Sequence, residues 1–171
     1  MVVLRPTQKL QHLLPTSNMV EAVSDTALGD WYVNRFVVDR RPLLLLLSSR
    51  GLLPIVIPAR DVRGLPNYLP ALVAGRLQRL EVAPGLIAAE LAAMAPVQIA
   101  KTLDRSVLGV MVDFAKVIPF YLEIDGWDET TLPEIEFRLA QTPCYSSKRS
   151  DAVVWPEKDA PDLLAARWHA T

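Results

Sequence analysis

The sequence holds a single cysteine, Cys144, so no internal disulfide can form. Its only two histidines, His12 and His169, lie at opposite ends, and with one Cys they leave no zinc-ligand spacing. Gly51, Gly64, Gly75 and Gly85 stand singly rather than in a phosphate-cradling loop, and no serine sits in a nucleophile elbow. The expectation is therefore no metal and no cofactor. Uninterrupted apolar runs of membrane length are also missing. Leu43–Ile57 is broken by Arg50, Gly51 and Pro54, and Val82–Ala100 by Pro84, Gly85, Glu90 and Pro96. Met1–Gln11 is polar after Leu4 and has no signal-peptide pattern, which with the lone cysteine points to the cytosol. No internal repeat or low-complexity tract is visible.

What is present suits one folded unit. A chain of 171 residues, 51% hydrophobic, is long enough to bury a substantial core without staples. The expected organisation is one domain over residues 1–144, with residues 145–171 as a C-terminal arm laid on the domain or on a partner. Residues 1–80 carry ten Lys/Arg against five Asp/Glu, and residues 81–171 eight against fourteen. Two halves of opposite sign can attract each other, and the net charge of −1 argues against a general nucleic-acid binder.

The pattern along the chain predicts an α+β fold. Val2–Arg5 is a short apolar strand, and Thr7 opens a brief helix over Gln8–Leu14. Thr16–Asp30 is a loop. Trp31–Val38 is aromatic and β-branched, which is strand chemistry. The turn Asp39-Arg40-Arg41-Pro42 leads to the run Leu43–Leu47, too short for a stable helix and best buried on both faces of a sheet. Leu52–Ile57 contains Pro54, so it belongs at an edge or carries a bulge. These strands make a small antiparallel meander, with Val97–Ala100 as a candidate further strand. Leu65, Leu69, Leu72, Val73, Leu77 and Leu80 space as an amphipathic helix, with Arg76 and Arg79 on its outer side. Leu86–Met94 is a second helix, the stretch from Asp104 to Ile118 a third, and Thr131–Leu139, opened by a capping box, a fourth. The third is apolar around its circumference, so it is expected to be central and buried.

That third helix carries the candidate site. Ser106, Gly109 and Asp113 recur at three and four residues and share a face. A glycine inside a helix suggests close approach of a backbone or ligand. A carboxylate among apolar side chains needs a partner, and the commoner reading of Asp113 is an internal ion pair with Arg40, Arg41 or Arg105. The functional reading gathers Asn34, Arg40, Arg41, Arg105, Ser106 and Asp113 into one polar binding cluster. Asp104 is the expected N-cap. Cys144 has no histidine neighbour in sequence and reads as a plain buried thiol. Trp155 and Trp168 read as docking anchors.

The stretch Lys101-Thr102-Leu103-Asp104-Arg105-Ser106-Val107-Leu108-Gly109, continued by Met111 and Asp113, resembles the signature of an uncharacterised bacterial family of small proteins, a domain of unknown function. Gly29-Asp30-Trp31, Asn34, the Asp39-Arg40-Arg41 turn and Leu139…Pro143 extend the resemblance over most of residues 1–144. The family more often has His in place of Tyr32 and Asn in place of Asp104 and Val112. It brings no established activity. The functional expectation is a small non-enzymatic binding or regulatory module, taking a protein partner or a second copy of itself. The alternative is a hydrolase or nuclease-like enzyme that uses Asp113 and nearby arginines on an anionic substrate.

Overall fold

Three strands joined by short turns form one side of the sheet: β2 (Trp31–Val38), β3 (Arg41–Ser48) and β4 (Pro54–Pro58), antiparallel in succession. They belong to a computed structural model that describes residues 1–16, 22–127, 131–145 and 153–169, the Asp125 side chain excepted. Of the expected loop Thr16–Asp30, residues 17–21 lie outside that description. β1 (Val2–Pro6) and β5 (Val97–Ile99) complete a sheet of order β4-β3-β2-β1-β5. Both new pairings, β1 with β2 and β1 with β5, are parallel, so the sheet is mixed and not a pure meander. Parallel neighbours need crossovers, and the β1–β5 crossover carries most of the chain between them.

Helices cover both faces. α1 (Leu65–Arg79), α2 (Pro84–Met94) and α5 (Pro156–Trp168) close one core with Leu4, Trp31, Val33, Leu44 and Leu46. α3 (Arg105–Asp125) and α4 (Thr131–Ala140) close the other with Tyr32, Leu43, Leu45 and Leu47. Leu43–Leu47 thus supplies alternate side chains to two cores, which explains a five-leucine strand with no polar face. Among the described residues no helix is long and apolar enough to cross a membrane.

Three expectations need correction. The helix over Gln8–Leu14 is only a 3-10 turn at Gln8–Leu10. Arg76 is not on the outer side of α1: it is 2% exposed, beneath α4. α3 is not a central helix buried all round. Val107, Val110, Met111, Phe114 and Ile118 are buried, while Gly109, Val112, Asp113, Lys116 and Phe120 are exposed. The apolar residues on its outer side made one covered face look like a full circumference.

The edge strand β4 is closed by side chains instead of another strand. Glu136 of α4, 1% exposed, accepts the Val56 N–H through Oε1 at 2.9 Å. Arg76 donates through Nε to the Pro54 carbonyl at 2.9 Å and lies 3.6 Å from Glu136 Oε2, where Arg79 donates at 2.7 Å. Burial pulls the Arg76 guanidinium below its ordinary value, and the Glu136 carboxylate opposes that pull.

The C-terminal residues are anchored on the domain. A short hairpin of β6 (Cys144–Tyr145) and β7 (Val153–Val154) precedes α5, whose Ala160 and Leu164 are fully buried in the first core. Trp168 donates its indole N–H to Glu90 Oε2 at 2.7 Å, and that buried carboxylate also accepts the N–H groups of Ala27 and Leu28. Gly51 sits at φ +76°, and a Cβ there would lie 3.2 Å from Ala160 Cα, so the β3–β4 turn and α5 meet through a glycine.

Candidate functional site

The residues singled out from the sequence do not assemble at one place. Asn34 accepts a hydrogen bond from Thr7 Oγ1 at 2.7 Å. Ser106 bonds Asp104 Oδ1 through both its N–H and its hydroxyl, so that pair forms the N-cap of α3. Tyr32 Oη accepts the N–H of Asp104 at 3.0 Å, tying the cap to the sheet. Arg105 is exposed at the first turn of α3.

Asp113 is exposed on the outer face of α3, and among the described residues no ion pair joins it to Arg40, Arg41 or Arg105. It lines a groove of about 210 Å³ with Tyr121, Cys144 and Tyr145. Burial pushes the Cys144 thiol up to about 11, and the Asp113 carboxylate adds to the rise. A thiol held that high carries little thiolate at neutral pH and is a poor nucleophile. Gly109 faces open space, where a Cβ would meet nothing within 4 Å. The close approach expected of it is absent, and Gly109→Ala should stabilise the fold by about 0.5–1 kcal/mol, read as a higher urea midpoint.

A second polar group forms a closed network. Arg5, 4% exposed, donates to Asp30 Oδ2 at 2.5 Å and to the Lys101 and Ala22 carbonyls. Ser24 donates to Asp30 Oδ1 at 2.6 Å, and Ser49 Oγ accepts the Asp30 N–H. These groups satisfy one another and hold the ends of β1 and β2 to the segment entering α3.

Arg40 and Arg41, both exposed, stand at the β2–β3 hairpin. Asp39 and Arg40 fill its two-residue turn with φ of 49° and 67°, the double positive φ that turns of this length favour for strand twist. Neither is glycine, so the turn stores about 1–2 kcal/mol of strain per residue. Trp127, between α3 and α4, holds it in place. Its indole N–H donates to Asp39 Oδ2 at 3.3 Å, and the Arg41 guanidinium lies 4.7 Å from its ring centroid. Beside this stack runs a groove of about 260 Å³, with Arg41 and Arg60 as its cations and Pro42, Leu43, Pro58 and Leu132 among its apolar walls. Arg41 and Asp113 therefore line separate grooves. Sequence reasoning found Arg41 through the turn and missed Trp127 and Arg60. An aromatic residue directly after a helix-ending glycine was the available signal for Trp127.

The family model described as Domain of unknown function (DUF6933) matches residues 3–159. The chain belongs to this family. The match takes in the five-stranded sheet, α1 to α4 and the first turn of α5, so the family unit extends into the C-terminal helix. It bears out the expected membership in a family of unknown function. No curated protein and no solved structure matches the chain. Among the described residues no group of three or more His, Cys, Asp or Glu side chains is placed to hold a metal ion.

Proposed function

We propose that this chain is a small cytoplasmic binding module of bacteria, not an enzyme, and that its ligand is an anionic group carried on an apolar or planar body. The observation that carries this reading is the Arg41–Trp127–Arg60 groove. Two exposed arginines line it together with apolar side chains and an aromatic ring. Guanidinium forks match carboxylates and phosphates bidentately, and the apolar walls reward the rest of the ligand. The strained turn that presents Arg41 adds support, since such strain persists where the surroundings over-determine it. A nucleic acid is a poor candidate, because the groove is small and the net charge is −1.

The rival reading, a hydrolase or nuclease-like enzyme using Asp113 with arginines, gains no support from grooves that keep Asp113 and Arg41 apart. Isothermal titration with phenyl phosphate tests the proposal. Saturable binding is expected, weakened at least about tenfold in both Arg41→Ala and Trp127→Ala, and weakened by added salt. Binding that both substitutions leave unchanged would overturn it.

A further inference from the structure

Among the described residues, the outer side of α3 carries a row of exposed apolar side chains. Val112 is 50% exposed, Phe120 66% and Ile124 72%, and Phe120 and Ile124 are neighbours at the four-residue spacing of one helix face. Phe137 of the adjoining α4 is 46% exposed. Single exposed apolar residues need no explanation, but a row of them on one face marks an interaction surface. Two opposite charges flank Phe120 on that face: Lys116 one turn before it and Glu123 one turn after, both exposed.

This order of charge, aromatic ring and opposite charge is its own complement under a two-fold rotation. Laid antiparallel with Phe120 near the axis, a second α3 brings Lys116 of each copy to Glu123 of the other, so both ion pairs form at once. Ile124 of each copy then packs beside the other's Phe120. A parallel arrangement would instead set like charges side by side. We propose that the outer face of α3 is a self-pairing surface, and that its occupant is the α3 of a second copy in antiparallel orientation. The 21 residues of α3 span about 31 Å at 1.5 Å per residue. One helix face of that length falls at the small end of specific interfaces, so pairing is reversible and concentration-dependent, unlike an obligate dimer. This inference uses no residue of the Arg41 groove and stands independently of the ligand proposal.

Sedimentation velocity of the full chain across the micromolar range tests it. The wild type is expected to shift from monomer to dimer, and Phe120→Glu to raise the dissociation constant at least about tenfold. Lys116→Glu and Glu123→Lys should each weaken the dimer, because each sets like charges opposite one another. An equimolar mixture of those two variants should restore it, since each pair across the interface is then of opposite sign. All three positions are solvent-facing, so unfolding midpoints close to wild type will confirm intact folds. A wild type that stays monomeric throughout, or a dimer indifferent to Phe120→Glu, overturns self-pairing. A mixture no tighter than its two components overturns the antiparallel register.

Discussion

Glu136→Ala is expected to cost about 3–5 kcal/mol of folding stability, a large share of the roughly 5–15 kcal/mol that domains possess. The carboxylate is 1% exposed and does two things at once. It accepts the Val56 N–H of β4, and it neutralises Arg76, itself 2% exposed. Its removal strands both a buried donor and a buried charge. Arg79, at the solvent boundary, can follow the water, but Arg76 cannot. Replacing both ends of the buried pair, as Arg76→Met with Glu136→Leu, should restore part of the loss, because apolar side chains of similar volume relieve the desolvation of two charges. Urea unfolding of the two singles and the double checks this. A Glu136→Ala loss under about 1 kcal/mol, or a double variant as unstable as the summed singles, would show that the pair is not coupled as its geometry implies.

Leu164→Ala is expected to lose about 2–5 kcal/mol, as for a fully buried leucine whose site cannot collapse. Leu164 is 0% exposed and inserts from α5 into the core beneath the sheet. The neighbouring restraint is weaker: Trp168→Phe keeps most of the ring and deletes only the 2.7 Å bond to Glu90, for which about 1 kcal/mol is appropriate. The order of the two losses, measured by the same unfolding curves, separates burial from hydrogen bonding as what seats α5. Equal losses, or a Leu164→Ala variant with a wild-type midpoint, would mean that α5 rests on the surface.

The three-stranded antiparallel unit was legible because local chemistry announces it. Aromatic and β-branched residues at Trp31–Val38, a charged turn, five leucines and a Pro-bearing third strand each point to one structure. The parallel additions were harder. β5 has three residues, and its partner β1 lies some ninety positions away, so neither periodicity nor turn chemistry states the pairing. Helical spacing placed Arg76 outside α1, because spacing reports a residue's own helix and not the α4 carboxylate that arrives sixty positions later. The same limit explains the candidate cluster. Asn34, Ser106 and Asp113 were found as polar residues in apolar settings, yet Asn34 bonds Thr7, Ser106 bonds its own helix cap and Asp113 faces solvent. Arg41 reached a groove that joins cationic and aromatic side chains, and its aromatic member, Trp127, sits in a segment without periodicity.

The way β4 ends the sheet has a consequence for how this protein behaves when crowded. An exposed strand edge is a template on which other chains add, and such addition, once begun, has no natural stopping point. Here the outer donor of Val56 is already occupied by Glu136, prolines stand at both ends of β4, and the opposite edge, β5, is three residues long. The sheet is a terminated lattice, with its growth sites capped by covalently attached inhibitors. Assembly through helices can therefore close at a fixed number of copies, while runaway fibre growth first requires α4 to come away from the edge it guards.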